Sequence, residues 1–204
     1  NDALAAANRR RFAEAGILAV NLMSSPGSGK TTLLERTVRD LAGELPLAVL
    51  EGDQETLVDA ERIRAAGARA VQVNTGAGCH LDATMVAHGV DVLAPAQGSL
   101  LFVENVGNLV CPALFDLGEA ARVVVMSVTE GADKPLKYPH MFRTADLVVV
   151  NKIDLLPYVD FDVAACVANA RRARPGVETI EVSATRGDGL AGWYGWLRAR
   201  RAQR

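Results

Sequence analysis

The segment Ser24-Ser25-Pro26-Gly27-Ser28-Gly29-Lys30-Thr31-Thr32 sets small, flexible residues ahead of a lysine and two hydroxyls, between an apolar run and a helical pattern. In that setting the glycines let successive backbone N–H groups turn toward one anion. The helix that follows adds partial positive charge at its amino end. Pro26, Gly27, Ser28, Gly29, Lys30, Thr31 and Thr32 thus read as a phosphate cradle, with Lys30 reaching the outer phosphates and the Thr31 hydroxyl available to Mg²⁺. Ser24 stands where such loops usually carry their first glycine, so the outer edge is less permissive while the Gly-Ser-Gly-Lys-Thr-Thr centre is intact.

Asn151-Lys152-Ile153-Asp154 follows the apolar stretch from Asp146 to Val150. There the Asp154 carboxylate can accept from the ring N1–H and exocyclic amine of guanine, a pair that adenine does not offer. Asn151 supports the loop, the Lys152 stem covers the ring, and Ser183-Ala184 sits where a backbone contact to the guanine oxygen is expected. GTP is therefore expected over ATP. Between the two motifs, Leu100 to Val103 ends in Glu104 and then Gly107: Glu104 can join the Mg²⁺ shell or orient water, and Gly107 can give the γ-phosphate an N–H. Upstream, Glu51-Gly52-Asp53 ends an apolar run and Asp59 follows Thr56-Leu57-Val58. Asp53 and Asp59 read equally as magnesium ligands or as caps of a turn and a helix. The catalytic set is then Lys30, Thr31, Asp53, Glu104 and Gly107.

A second constellation is Cys79-His80 with Cys111 in Asn108-Leu109-Val110-Cys111-Pro112. Thiolate and imidazole suit Zn²⁺ or Ni²⁺. Adjacent helical residues splay by about 100°, so Cys79-His80 needs a loop or a helix start, which Asn74-Thr75-Gly76-Ala77-Gly78 can supply. His88 is a possible further ligand. Spacing alone leaves two readings: this metal site, or small buried thiols beside a surface histidine. Cys111 stands only four residues beyond Gly107, which ties the candidate site to the nucleotide-sensing loop. Cys166 falls on a helical pattern from Val163 to Ala173 and reads as packing.

These motifs require strands and helices that hold them at one edge. Apolar runs at Leu18 to Met23, Leu47 to Leu50, Ala70 to Val73, Leu100 to Val103, Arg122 to Val128, Leu147 to Val150 and Glu178 to Val182 are mostly continuous, with helical patterns between most of them. Continuous apolar strands imply burial on both faces, and intervening helices imply parallel crossovers. The expectation is a three-layer α/β domain with a mostly parallel central sheet flanked by helices. Residues 1–204 read as one domain, with residues 1–16 an amino-terminal helix packed on it through Leu4, Ala5, Asn8, Phe12 and Ala15. Gly189 to Arg204 reads as a closing helix with Leu190, Trp193, Trp196 and Leu197 inward.

Of the 204 residues, 50% are apolar and 23% charged, and the net charge is −2, so no global field draws the chain to nucleic acid or an anionic bilayer. The longest apolar runs fall far short of the ~20 residues of a membrane helix. Three cysteines are too few for a secreted disulfide scaffold and point to a reducing cytoplasm. The chain opens at Asn1, and Arg9 to Arg11 stand where a signal peptide would need an apolar core.

The phosphate loop, Gly76-Ala77-Gly78-Cys79-His80-Leu81-Asp82, Glu104-Asn105-Val106-Gly107-Asn108-Leu109-Val110-Cys111-Pro112, Asp133-Lys134-Pro135-Leu136-Lys137-Tyr138-Pro139 and Asn151-Lys152-Ile153-Asp154 occur in that order. Together they closely resemble the GTPase domain of the hydrogenase nickel-incorporation (HypB) family, over nearly the whole chain. The resemblance implies a P-loop NTPase fold and a cytoplasmic metallochaperone. It would bind Ni²⁺ or Zn²⁺ through Cys79, His80 and Cys111 at a dimer interface, and hydrolyse GTP to GDP slowly during [NiFe]-hydrogenase assembly. It further implies a homodimer favoured by GTP, with Lys137 a candidate for reaching the partner subunit, and contacts with other maturation proteins and the hydrogenase large subunit. The amino-terminal cysteine motif or histidine-rich stretch that the family often carries is not found in this sequence. Two alternatives are a urease-accessory GTPase, whose expected Cys-Pro-His is here Cys111-Pro112-Ala113, and a GTP-dependent switch with no metal role.

Overall fold

The computed structural model describes residues 1–53, 58–76 and 78–203. Seven strands form one sheet: β1 (Leu18–Ser24), β2 (Leu47–Asp53), β3 (Arg69–Asn74), β4 (Leu100–Glu104), β5 (Ala121–Ser127), β6 (Leu147–Asn151) and β7 (Glu178–Glu181). Their order is β3-β2-β4-β1-β5-β6-β7, and every pairing is parallel. The eight α-helices among the described residues are α1 (Asp2–Glu14), α2 (Lys30–Leu41), α3 (Val58–Ala66), α4 (Ala83–Leu93), α5 (Lys134–Lys137), α6 (Pro139–Thr144), α7 (Val163–Ala173) and α8 (Leu190–Ala202).

Alternate residues of each strand feed different layers. Val20, Leu22, Val49, Phe102, Val123 and Val149 pack with α2, α3 and α8, where Trp193 stacks on Trp196 and donates its indole N–H to Thr37 Oγ1 at 2.8 Å. Ala19, Leu50, Leu101 and Val103 point the other way, onto Phe12 of α1 and Val86 and Val90 of α4. Met23, Val124, Met126, Val148 and Val150 complete that face with Met141, Phe142 and Cys166. Both faces are covered, as the continuous apolar runs require.

Two details depart from the sequence reading. The second strand runs past its apolar part because Glu51, Gly52 and Asp53 keep pairing with β3, an extension that hydropathy does not register. On α1, Leu4 is 43% exposed. The buried stripe there is Ala5, Asn8 and Phe12, and the Asn8 amide donates to the carbonyls of Ala83 and Leu117. No helix among the described residues is long and apolar enough to cross a membrane.

Candidate functional site

In a parallel sheet all carboxyl ends share one edge, and ligands gather there. Ser24, Asp53, Asn74, Glu104, Ser127 and Asn151 end their strands on that edge. Between β1 and α2 the chain makes the phosphate loop, and Gly29 caps the helix at φ 86°. A Cβ at Gly29 would stand 2.5 Å from Asn151 Nδ2, so a close approach demands glycine there as well as the positive φ. That approach is a clamp: Asn151 Nδ2 donates to Ser28 O at 3.0 Å while its Oδ1 accepts the Ala184 N–H at 3.1 Å. Lys152, at φ 65°, donates from Nζ to Gly27 O at 2.6 Å. Asp154 Oδ1 accepts from Ser183 Oγ at 2.6 Å.

A cavity of about 510 Å³ lies over the phosphate loop, walled by Pro26 to Thr32 and by Glu51, Asp53, Asp59 and Glu104. A second, of about 320 Å³, is lined by Gly29, Thr32, Asn151, Lys152, Asp154 and Ala184. The residues expected to hold phosphates and those expected to hold the base therefore meet around Gly29, Thr32 and Lys152. Gly107 also faces the loop, since a Cβ on it would come within 3.2 Å of Pro26 Cα.

The acids form a cluster in which Glu51 and Glu104 are buried and Asp53 and Asp59 partly exposed. Glu104 Oε1 accepts from Lys30 Nζ at 2.8 Å and from Thr31 Oγ1 at 2.7 Å, and Asp59 Oδ2 lies 3.2 Å from the same hydroxyl. Asp53 stands on the cavity wall, and Asp59, in the first turn of α3, reaches Thr31 as Glu104 does. Thr56 and Leu57, just before it, lie outside the described residues. Directly across from Glu104 in the β2–β4 register is Glu51, 3% exposed. Sequence reasoning gave Glu51 no role; its one signal is that, like Glu104, it ends a buried apolar run. Burial, the Glu104 charge and a hydrogen bond to Glu104 push the Glu51 carboxyl up to about 10. Burial also acts to raise Glu104, but the Lys30 ammonium and hydrogen bonds from Glu51, Lys30 and Thr31 outweigh it and hold that carboxyl below the usual range. Among the described residues, Glu51 Oε1 and Glu104 Oε2 are buried with no hydrogen-bond partner. Hard oxygen donors with unused lone pairs beside a phosphate loop fit magnesium.

The sulfur and nitrogen donors collect elsewhere on the same edge. Cys79, His80 and Cys111 bring one ligand atom each to within 4.8 Å of one another. Cys79 Sγ donates to Cys111 Sγ at 2.7 Å and lies 3.7 Å from His80 Nδ1. That sulfur contact, with burial, raises the Cys111 thiol. The pair sits in a bend before α4, so the loop geometry needed by adjacent ligands is met; Ala77 just upstream lies outside the described residues. His80 stacks on Phe115 with ring centroids 3.9 Å apart, and Asn108 Oδ1 accepts the N–H groups of Val110 and Cys111. His88 is exposed on α4 and does not join the cluster. Cys166 is fully buried against Met126, its thiol pushed up to about 11 by burial and by the Glu130 charge, as packing requires. Lys137 is exposed and paired with Asp133 at 2.7 Å.

The family model for the CobW/HypB/UreG nucleotide-binding domain matches residues 18–181. The hydrogenase maturation factor HypB of Rhizobium leguminosarum bv. viciae is 61% identical to this chain over 204 residues, covering 100% of this chain and 68% of that protein. Among solved structures, HypB from Archaeoglobus fulgidus superposes with a TM-score of 0.91 at 42% identity, covering 98% of each chain. HypB from Helicobacter pylori in complex with nickel gives 0.92 at 37% identity, covering 99% of this chain and 95% of that one.

Proposed function

Since this chain belongs to the HypB family of hydrogenase maturation factors, nickel-binding GTPases of the P-loop fold, we propose that it carries nickel to [NiFe]-hydrogenase under control of its bound nucleotide. The observation that carries this reading is the convergence of Cys79, His80 and Cys111 on the edge that also holds the phosphate loop.

In this reading Lys30 turns from Glu104 to the outer phosphates of GTP, the loop N–H groups from Gly27 to Thr32 hold the remaining oxygens, and Gly107 offers its N–H to the γ-phosphate. Thr31 and Glu104, with Asp59 or Asp53, would hold magnesium, which supplies neutralisation of phosphate charge. Asp154, fixed by Ser183, selects guanine, and Asn151 keeps base loop and phosphate loop in one piece. Arg62, on the cavity wall, is held by Glu35 and Asp59.

Nickel is cargo, bound by the thiolates of Cys79 and Cys111 and the imidazole of His80; the same borderline donors accept zinc. Binding releases the thiol protons. Val110 and Leu114, 50% and 63% exposed on either side of Cys111, supply apolar surface for a second copy, which supports a GTP-favoured homodimer closing over the metal. The chain then acts in the cytoplasm with the other maturation proteins and the hydrogenase large subunit.

Nickel titration of the GDP and GTP-analogue forms, repeated with Cys79→Ala and Cys111→Ala, tests the proposal. Stoichiometric binding that depends on nucleotide and is lost in both variants is expected. Binding that survives both substitutions removes the site, and equal affinity in the two nucleotide states removes the control.

A further inference from the structure

One side-chain oxygen joins the nucleotide-sensing segment to the far arm of the metal site. Asn105 Oδ1 accepts the N–H of Val106 at 3.1 Å and the N–H of Leu81 at 3.1 Å. The first peptide leads into Gly107; the second follows His80. Two donors on one atom also fix which end of the amide is oxygen. The other end is anchored, because Asn105 Nδ2 donates to Asn21 Oδ1 at 3.3 Å and Asn21 Nδ2 reaches Glu119 Oε1 at 3.2 Å. The Asn105 backbone N–H is held by Leu22 O at 3.0 Å, and the residue is 1% exposed. Leu81 is equally confined, with its side chain against Gly52, where a Cβ would come within 2.7 Å of it.

We propose that Asn105 is a positioning residue that couples the phosphate cavity to the metal site, by sharing its Oδ1 between the Val106 and Leu81 N–H groups. The inference rests on the nucleotide-linked nickel binding proposed above and gives it a physical route. When Gly107 turns toward a γ-phosphate, the peptide before it turns too, and the Val106 N–H swings relative to Oδ1. An oxygen held by an anchored amide cannot follow one donor without changing its angle to the other. The Leu81 bond is buried, so its N–H does not exchange Oδ1 for solvent at no cost. The Leu81 peptide therefore moves with the Val106 peptide, and Cys79 and His80 move relative to Cys111. The chain from Gly107 to Cys111 moves only the near ligand; Asn105 is what reaches the other two.

The test compares the ratio of nickel affinities in the GTP-analogue and GDP states, at saturating nucleotide, between the parent protein and Asn105→Leu, which keeps the branching at Cγ and removes the shared acceptor. Couplings of this kind are on the order of 5–150-fold. The parent ratio is expected in that range, and the Asn105→Leu ratio is expected within about twofold of unity. A parent ratio of one overturns the nucleotide-linked reading and the inference with it. A ratio that survives in Asn105→Leu overturns the inference alone. Amide hydrogen exchange of the nickel-free parent protein gives a second readout that needs no variant. Protection of Leu81 and Val106 is expected to shift together between the two nucleotide states, and a Leu81 amide that ignores the nucleotide overturns the coupling.

Discussion

Replacing Glu51 by Gln removes the cost of burying an ionisable carboxyl beside Glu104 beneath the phosphate loop. Burial and the Glu104 charge raise the Glu51 carboxyl from an ordinary value of 4.5 to about 10. The folded protein thus keeps a proton that the unfolded chain releases. A raised carboxyl leaves stability untouched below pH 4.5 and removes it progressively as pH rises toward 10. Each pH unit in that window costs about 1.4 kcal/mol, so the step from pH 5 to pH 8 has a ceiling of about 4 kcal/mol. Water entering from the cavity screens part of this, and ~2 kcal/mol is the expected effect. The depressed Glu104 carboxyl acts in the opposite sense and only at acid pH, and both proteins share it. Glutamine has nearly the same shape, can still donate to Glu104, and does not titrate. At 2–4 °C per kcal/mol for a chain of this length, Glu51→Gln is expected to melt with the parent at pH 5 and about 4–8 °C above it at pH 8. The assay is thermal unfolding in a metal chelator without nucleotide, so that no bound charge offsets the pair. Melting curves that run parallel across that pH range would refute the reasoning.

Lys30→Ala is expected to lower single-turnover GTP hydrolysis by a factor of 10² or more, because charge positioning is most of the catalysis. Circular dichroism should stay native, while unfolding stability falls by about 3 kcal/mol because Glu104, with its side chain 3% exposed, loses its cation. Asp154→Asn is expected to exchange guanine for xanthine, whose 2-oxo group accepts where the guanine amine donated; competition between GTP and XTP measures it, and unchanged GTP preference counts against the base assignment. Trp193→Phe removes the 2.8 Å bond to Thr37 and part of a fully buried indole, at about 1–2 kcal/mol. It should leave GTP affinity unchanged, since α8 lies away from the cavity.

The residues that were legible in the sequence are those whose chemistry is local. Lys30, Thr31, Asn151 and Asp154 sit in contiguous motifs whose glycines and flanking apolar runs announce the backbone they need, and the structure places them around adjoining cavities. A mostly parallel sheet was legible for a similar reason, because continuous apolar strands separated by helices leave few other arrangements; that every pairing is parallel is seen only in the structure. Glu51 was not, since its character comes from Glu104 across a strand pairing and nothing within its own segment marks it. The same holds for the Asn151 clamp: the tetrapeptide suggests a support role, but its need for a glycine at position 29 follows only from the 2.5 Å approach.

The metal cluster shows why strand order is the missing information. Cys79 and Cys111 stand 32 residues apart, and their spacing alone is equally that of two unrelated buried thiols. Cys79 follows β3 and Cys111 follows β4, and the sheet seats β2 between those two strands. The chain leaving β3 must cross the end of β2 to meet the chain leaving β4. Gly52 at that end makes the crossing possible, because any side chain there would strike Leu81. The crossing carries the Leu81 N–H to Asn105, the residue after β4, and leaves Cys79 against Cys111. The glycine between Glu51 and Asp53 thus belongs to both sites: its neighbours face the phosphate cavity, and its missing side chain lets the metal loop close. Gly52→Ala is accordingly expected to weaken nickel binding even though Gly52 touches no ligand, and undiminished nickel affinity in that variant would show that the loop reaches Cys111 by another path.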